Sequence, residues 1–316
     1  MVCLYLVLPC YNEEEVLPDS ISCLIQKMEQ LKKEGRISYK SKMLFVDDGS
    51  QDSTWKIITK AQAVNHMVAG IKLSNNEGHQ KALLAGMFFA KEYADIVITL
   101  DADLQQDIER LDKFIDRYEE GYEIVYGIRN DRKTDGYLKK ITAKAYYLLL
   151  KHLNSGISLE NCADYRLMSK KAVEALESYP EVNVYLRGLI PLMGFNSTTV
   201  YFDVKERTGG KSKYTVNKMV NLALDGITSF SIRPIRIITM VGFLVFVSSI
   251  FMFAYIMIAW LRRITIPGWA SLAVAIWMVG GIQTLALGIV GEYIAKIYLE
   301  TKHRPRYHID VIAFKE

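Results

Sequence analysis

Cysteine is scarce in this chain of 316 residues. The four that occur (Cys3, Cys10, Cys23 and Cys162) are scattered, with no CxxC pair and no Cys/His spacing of a metal site. A disulfide scaffold is excluded, and the thiols read as small buried hydrophobes in a reducing compartment. An excess of one charge is missing too. The 39 Lys+Arg against 35 Asp+Glu leave a formal net charge of +4, and no nucleic-acid partner is expected. The N-terminus lacks the basic stretch of a signal peptide, and its apolar run over 2–8 stops at Pro9, so it reads as a buried first strand. There is no internal repeat and no low-complexity tract. With half of the residues apolar, disorder is excluded as well.

Charge is absent altogether from 237–261 and from 267–291. Each stretch exceeds the roughly 20 residues that span ~30 Å of hydrocarbon as a helix. Tyr255, Trp260, Trp269 and Tyr293 lie towards the ends, as interfacial aromatics do. The connection 262–266 is short enough to make a hairpin, which puts both flanks on one side of a membrane. Arg233, Arg236, Lys296, Lys302, Arg304 and Arg306 outnumber Arg262 and Arg263 in the turn, so both termini are expected in the cytoplasm. Before the first span, Val216, Met219, Val220, Ala223, Ile227 and Phe230 form a helical apolar stripe. It reads either as an interfacial amphipathic helix over 215–233 or as a helix packed on a soluble domain. Residues 203–236 carry seven Lys/Arg and three Asp/Glu, a basic excess that suits an anionic surface or a phosphate.

Residues 1–127 alternate strand and helix. Apolar runs at 2–8, 43–46, 68–73, 96–100 and 123–126 are separated by helical periodicity at 13–33, 53–64, 79–93 and 107–120. That order predicts an α/β fold with a parallel sheet covered by helices on both faces, whose ligands bind beyond the carboxyl ends of the strands. The polar clusters fall there: Pro9-Cys10-Tyr11-Asn12-Glu13-Glu14, Asp47-Asp48-Gly49-Ser50, 74–78 and Asp101-Ala102-Asp103. Two carboxylates closing a buried strand repel each other, and a hard divalent cation with phosphate oxygens relieves the repulsion. Gln105 adds a neutral oxygen. Asp47-Asp48 either accepts hydrogen bonds from a base or ribose or caps a helix, and His79 either donates to a phosphate or caps its helix. Arg129, Arg132, Lys133, Lys139 and Lys140, and later Arg207, Lys211 and Lys213, are cations on loops suited to a phosphate-bearing substrate. Asp164 beside Arg166 is either a structural ion pair or a base or orienting group.

Six segments, Pro9–Glu14, Val46–Ser50, Asn76-x-Gly78-His79, Asp101–Gln105, Gly127-x-Arg129 and Asp164–Met168, together resemble, in order, the motifs of glycosyltransferase family 2. Within it they are similar to the polyprenyl- and dolichyl-phosphate sugar synthases, bactoprenol glucosyltransferases among them. One departure is visible: Gln106-Asp107-Ile108-Glu109 lacks the proline usual after the Asp-x-Asp motif.

The resemblance implies a GT-A catalytic domain over 1–214, a transmembrane hairpin over 234–296 and a cytosolic tail over 297–316, in a bacterial cell membrane. It implies inverting transfer of one sugar from a nucleotide diphosphate sugar, UDP-glucose by default, to the phosphate of a polyprenyl lipid, and it leaves a homo-oligomer open. Asp101, Asp103 and Gln105 would hold Mg2+ or Mn2+. Pro9, Tyr11, Glu13 and Asp48, with Asp101, would meet the nucleotide sugar. Arg129, Lys140, Arg207 and Lys211 would hold the lipid phosphate, and Asp164 would be the candidate base, catalytic together with Asp103. The alternative acceptor is a hydroxyl of a lipid headgroup or a growing polysaccharide, although the Gln-x-x-Arg-Trp motif of processive enzymes is missing. A transporter or scaffold with a degenerate nucleotide domain fits less well, since two spans are too few for alternating access.

Overall fold

The computed structural model describes residues 1–130, 162–182, 185–203, 233–262 and 268–315. The stripe over 215–232, the basic loop at 205–214 and Arg132, Lys133, Lys139 and Lys140 lie outside the described residues.

Strands β1 (Leu4–Cys10), β2 (Lys42–Asp47), β3 (Val68–Leu73) and β4 (Ile96–Thr99) are fully buried or nearly so, as near-continuous apolar runs should be when both faces of a sheet are covered. They pair in parallel in the order β4-β1-β2-β3. Pro9 is tolerated in β1 because it lies past the last residue that pairs with β4, where Val7 meets Thr99. Helices α1 (Leu17–Lys33), α2 (Thr54–Val64), α3 (His79–Ala90) and α4 (Leu111–Glu119) connect and cover the strands. Helix α1 starts at Leu17 rather than at 13, because Pro18 belongs in a first turn. Helix α3 presses close to β1 and β2 at Gly86, where a Cβ would stand 2.4 Å from Val7 Cγ1 and 2.8 Å from Val46 Cγ2.

The sheet is mixed and eight-stranded, ordered β7-β5-β6-β4-β1-β2-β3-β8, so the expectation of a parallel sheet holds only for its centre. Strand β5 (Ile124–Arg129) runs in the direction of β4 but does not pair with it. Strand β6 (Cys162–Ser169) inserts antiparallel between them. Helices α5 (Lys170–Glu177) and α6 (Leu186–Leu192) follow, and β7 (Ser197–Phe202) closes the far edge beside β5. Strand β6 escapes a hydropathy reading because Asp164 and Arg166 interrupt it, yet all eight of its residues are buried. Alternation sends Tyr165 and Leu167 to one apolar layer and Cys162 and Met168 to the other.

Beyond the sheet come two long helices, α7 (Arg233–Leu261) and α8 (Trp269–Thr301). Among the described residues one stretch, Met278–Thr301 in α8, is long and apolar enough to cross a membrane. It lies further along the chain than the run at 267–291. Phe243, Leu244 and Phe251 of α7, with Leu285 and Leu287 of α8, are 59–71% exposed, so among the described residues no core covers these side chains.

The end of the chain corrects the expectation of a plain tail. Strand β8 (Ile309–Ala313) pairs antiparallel with β3 and completes the sheet. Ser74 N–H donates to His308 O at 3.0 Å, and the Phe314 ring packs against Phe89 and Tyr93 at 5.4 and 4.7 Å. Val182 N–H donates to Glu300 Oε2, and Arg306 Nε donates to Glu181 O, each at 2.8 Å. The Phe314 ring is half-buried there, so its packing contributes on the order of 1 kcal/mol, below the value for full burial.

Candidate active site

The carboxyl ends of β1, β2, β4 and β5 and the start of β6 share one rim, and the loops on it are stitched together. Asn12, with a positive φ of 51°, donates its N–H to the Ser50 hydroxyl at 3.0 Å, and its Oδ1 accepts from Gln51 N–H at 2.9 Å. Glu13 N–H donates to Thr54 Oγ1 at 2.9 Å. Pro9 is buried in β1, and Tyr11 and Glu13 are half-buried above it. Asp48 spans to the loop after β3, accepting from Glu77 N–H at 2.7 Å and Gly78 N–H at 2.9 Å. Gly49 makes that approach possible: at φ +67° its missing Cβ would lie 2.6 Å from the Asn75 carbonyl carbon. Burial pushes the Asp47 and Asp48 carboxyls up, against the hydrogen bonds they accept. Asp47 Oδ2 is buried with no partner among the described residues.

At the end of β4 the chain turns sharply through Leu104, whose φ is 50°. The turn sets Asp101 and Asp103 half-buried at the rim. The glutamine whose side chain meets Asp101 is Gln106: its Oε1 accepts from Asp101 N–H at 2.8 Å, and its Nε2 donates to Asp101 Oδ2. Gln105 donates its backbone N–H to Asp103 Oδ1 at 3.2 Å. Burial raises the Asp101 carboxyl, the His79 field opposes the rise, and the Asp164 and Asp103 charges add to it. Among the described residues there is no cluster of three or more His, Cys, Asp and Glu side chains able to hold a metal. Two adjoining carboxylates at the rim are nonetheless a donor set of hard oxygens that fits a divalent cation.

Register brings the third acid in. Thr99 of β4 faces Arg166 of β6, and two residues on, Asp164 stands on the side of Asp101. Asp164 is buried and surrounded: Arg166 Nη2 donates to its Oδ1 at 2.7 Å, Arg187 Nη2 to Oδ2 at 2.9 Å and Arg187 Nε to Oδ1 at 3.3 Å. His79 Nε2 lies 3.5 Å from Asp164 Oδ2 and 3.8 Å from Asp101 Oδ1. Burial would raise the Asp164 carboxyl, but Arg187, the His79 hydrogen bond and Arg166 hold it well below the usual range. Asp164 in turn raises the His79 imidazole in spite of burial. A carboxylate held this way keeps its charge and is a weak proton acceptor.

Arg129 ends β5 on the same rim, its Nε buried without a partner among the described residues. Lys140, Arg207 and Lys211 lie outside the described residues. The structure thus brings Pro9, Tyr11, Glu13, Asp48, Asp101, Asp103 and Asp164 to one rim. It adds Arg187 and Gln106, which the sequence reading missed. Gln106 had only a doubled glutamine to mark it, and Arg187 had no motif at all.

The profile of glycosyl transferase family 2 matches residues 5–177, more than half of the chain. The glycosyltransferase YkoT of Bacillus subtilis, itself uncharacterised, is 48% identical over 99% of this chain and 93% of its own length. The bactoprenol glucosyl transferase of Shigella phage SfX is 38% identical over 96% and 97%. A solved structure, glucosyl-3-phosphoglycerate synthase from Mycobacterium tuberculosis with Mn2+, UDP-glucose and phosphoglyceric acid, aligns over 72% of this chain and 78% of its own. Its identity is 15% and its TM-score 0.48. The protein is therefore a glycosyltransferase, and it belongs to glycosyl transferase family 2.

Proposed function

We propose that the protein transfers a single sugar, with inversion, from a nucleotide diphosphate sugar to the phosphate of a membrane polyprenyl lipid, with UDP-glucose as the default donor. One observation carries the membrane acceptor. Strand β8 belongs to the same sheet as the candidate site, and the chain between them passes through two helices with uncovered apolar faces. A chain that leaves a sheet, enters a bilayer and returns to the same sheet crosses an even number of times. If α8 spans, α7 spans with it, and the catalytic domain and C-terminus share one side, the cytoplasmic one by the basic flanks. The full-length relative named for bactoprenol supports the same acceptor.

Asp101 and Asp103 would hold Mg2+ or Mn2+, with Gln105 as the further neutral ligand. When bound, such an ion stabilises charge on a diphosphate leaving group. Asp48, Tyr11, Glu13 and Pro9 face the nucleotide. Arg129, with Lys140, Arg207 and Lys211, meets the acceptor phosphate. That phosphate has a second pKa of about 6, so it arrives largely ionised. Its oxygen attacks the anomeric carbon as the bond to the diphosphate breaks, and the nucleoside diphosphate leaves. No proton has to be removed from the nucleophile, and Asp164 serves to orient the site through His79 and its arginines rather than to abstract a proton.

The experiment is to incubate purified protein with polyprenyl phosphate and a panel of nucleotide sugars, with and without Mn2+, and to weigh the lipid product. A lipid heavier by one hexose, formed only with metal, is expected. No glycosylated lipid from any donor, or turnover indifferent to chelation, refutes the reading.

A further inference from the structure

By register, the rim acids Asp101 and Asp164 are cross-strand partners, yet their rung of the ladder is not made. Lys170 N–H donates to Asp95 O at 2.8 Å, and β4 and β6 keep that register as far as Thr99 opposite Arg166. In an antiparallel pair the bonded rungs recur at every second residue. Asp95–Lys170 is one of them, so the rung after Thr99–Arg166 falls on Asp101–Asp164. There the strands part. Asp101 N–H turns to Gln106 Oε1 at 2.8 Å, and Asp164 O accepts from the Thr99 hydroxyl at 2.5 Å. Each of the two backbone groups due to meet has a side chain instead.

Thr99 and Gln106 are both buried. Thr99 Oγ1 also lies 3.4 Å from Arg166 O, and Gln106 Nε2 donates to Asp101 Oδ2. Strand β6 is deformed on its other side as well. Tyr126 faces Arg166 and Ile128 faces Cys162, two steps along β5 against four along β6, the mark of a bulge. Gly127 admits it, since a Cβ there would stand 2.6 Å from Tyr165 O. The opening between β4 and β6 has an occupant. His79 Nε2 stands between the acids, 3.5 Å from Asp164 Oδ2 and 3.8 Å from Asp101 Oδ1. A closed rung would bring the two Cα atoms to about 5.5 Å and set like charges directly opposite each other, which is destabilising.

We propose that Thr99 and Gln106 are positioning residues for sugar transfer. Their side chains cap the two backbone groups and hold the ends of β4 and β6 apart, so that Asp101 and Asp164 flank His79 instead of closing on each other. Neither side chain has to touch substrate, and the device serves any acceptor, lipid phosphate or hydroxyl. Thr99→Val keeps the branched shape and loses the hydroxyl, which leaves the buried Asp164 carbonyl in need of a donor. Gln106→Ala leaves the Asp101 N–H in need of an acceptor. Each loss draws the strand ends back towards the missing rung.

The test measures kcat and both KM values with polyprenyl phosphate and UDP-glucose in detergent-solubilised full-length enzyme. Thr99→Val and Gln106→Ala are each expected to lower kcat about 3- to 10-fold, the effect of one lost hydrogen bond, with both KM values within about twofold. Thr99→Ser keeps the hydroxyl and should recover most of the loss. In an Asp164→Asn background, Thr99→Val should cost less than about twofold, because the group it acts through is already gone. Failure of Thr99→Ser to recover activity, or the full factor persisting beside Asp164→Asn, overturns the proposal. So does a Gln106→Ala defect that added Mn2+ repairs, which assigns Gln106 to a metal site alone. A structural readout needs no turnover. In crystals of full-length Thr99→Val/Gln106→Ala, Asp101 N–H is expected to bond Asp164 O, with His79 displaced from between the acids. Strand ends that stay parted overturn the proposal. Wild-type enzyme that glycosylates no lipid defeats the functional reading, and the crystals then decide this proposal by themselves.

Discussion

Replacing Asp164 by asparagine keeps the shape of the side chain and removes its charge, which separates the two roles open to it. In the wild type the carboxylate pairs with Arg166, which is 1% exposed, and with half-exposed Arg187. The asparagine leaves Arg166 buried without an anion, and breaking a buried pair in this way costs about 3–5 kcal/mol. With a urea slope of about 2–3 kcal/mol per molar for a domain of this size, the unfolding midpoint should fall by roughly 1–2 M. Trp55 reports on it directly. It is the single tryptophan before position 260, and its ring would lie 3.1 Å from a Cβ on Gly70 of β3.

The pH dependence has a fixed sign. Asp164 is depressed in the folded state, so its contribution is present above the unfolded value of about 3.9 and is lost as pH falls through the folded one. Wild type and variant should differ fully at pH 7 and converge only below the ordinary carboxylate range. In turnover, an orienting role predicts a loss of about 10- to 100-fold. A general base would bring a larger loss, about 10²–10⁴-fold, with little change in stability. An unshifted midpoint together with a rate loss above about 10³-fold would refute the orienting role of Asp164.

Asp103→Ala should reduce kcat more than Asp164→Asn does, by about 10²–10³-fold; an equal or smaller loss in the same assay reverses the ranking. Gly86→Ala forces a methyl to within 2.4 Å of Val7 Cγ1 and should cost about 1–3 kcal/mol, read as a lower urea midpoint, whereas a wild-type midpoint would mean that α3 does not press on β1. Removing 309–316 deletes β8 and the Phe314 cluster and should cost at least about 2 kcal/mol and lower lipid turnover; unchanged stability would detach β8 from the sheet. In sealed vesicles of defined orientation, a protease site after Lys315 should be cut from the same face as one at Gly35 in the α1–β2 loop, and cutting from opposite faces would exclude an even number of crossings.

Much of the centre of the fold was legible because its physics is local. Strands β1 to β4 are continuous apolar runs, α1 and α3 carry helical periodicity, and turns at Gly49 and Gly78 punctuate them. A pattern of that kind determines the strand–helix order and, through it, the rim on which Asp48, Asp101 and Asp103 gather. The charge-free runs likewise marked the two long helices. The pairings are different, since they join residues far apart in the chain. Nothing near Cys162–Ser169 announces that a strand with two charges lies between β4 and β5, because those charges are tolerable only once Arg187 and His79 arrive from other elements. The amide that holds Asp101, the arginine over Asp164 and the return of β8 to the sheet were decided in the same way. Apolar burial and turn chemistry act over a few residues and can be read along a line, whereas a buried charge takes its meaning from its partners, and only the folded chain chooses them.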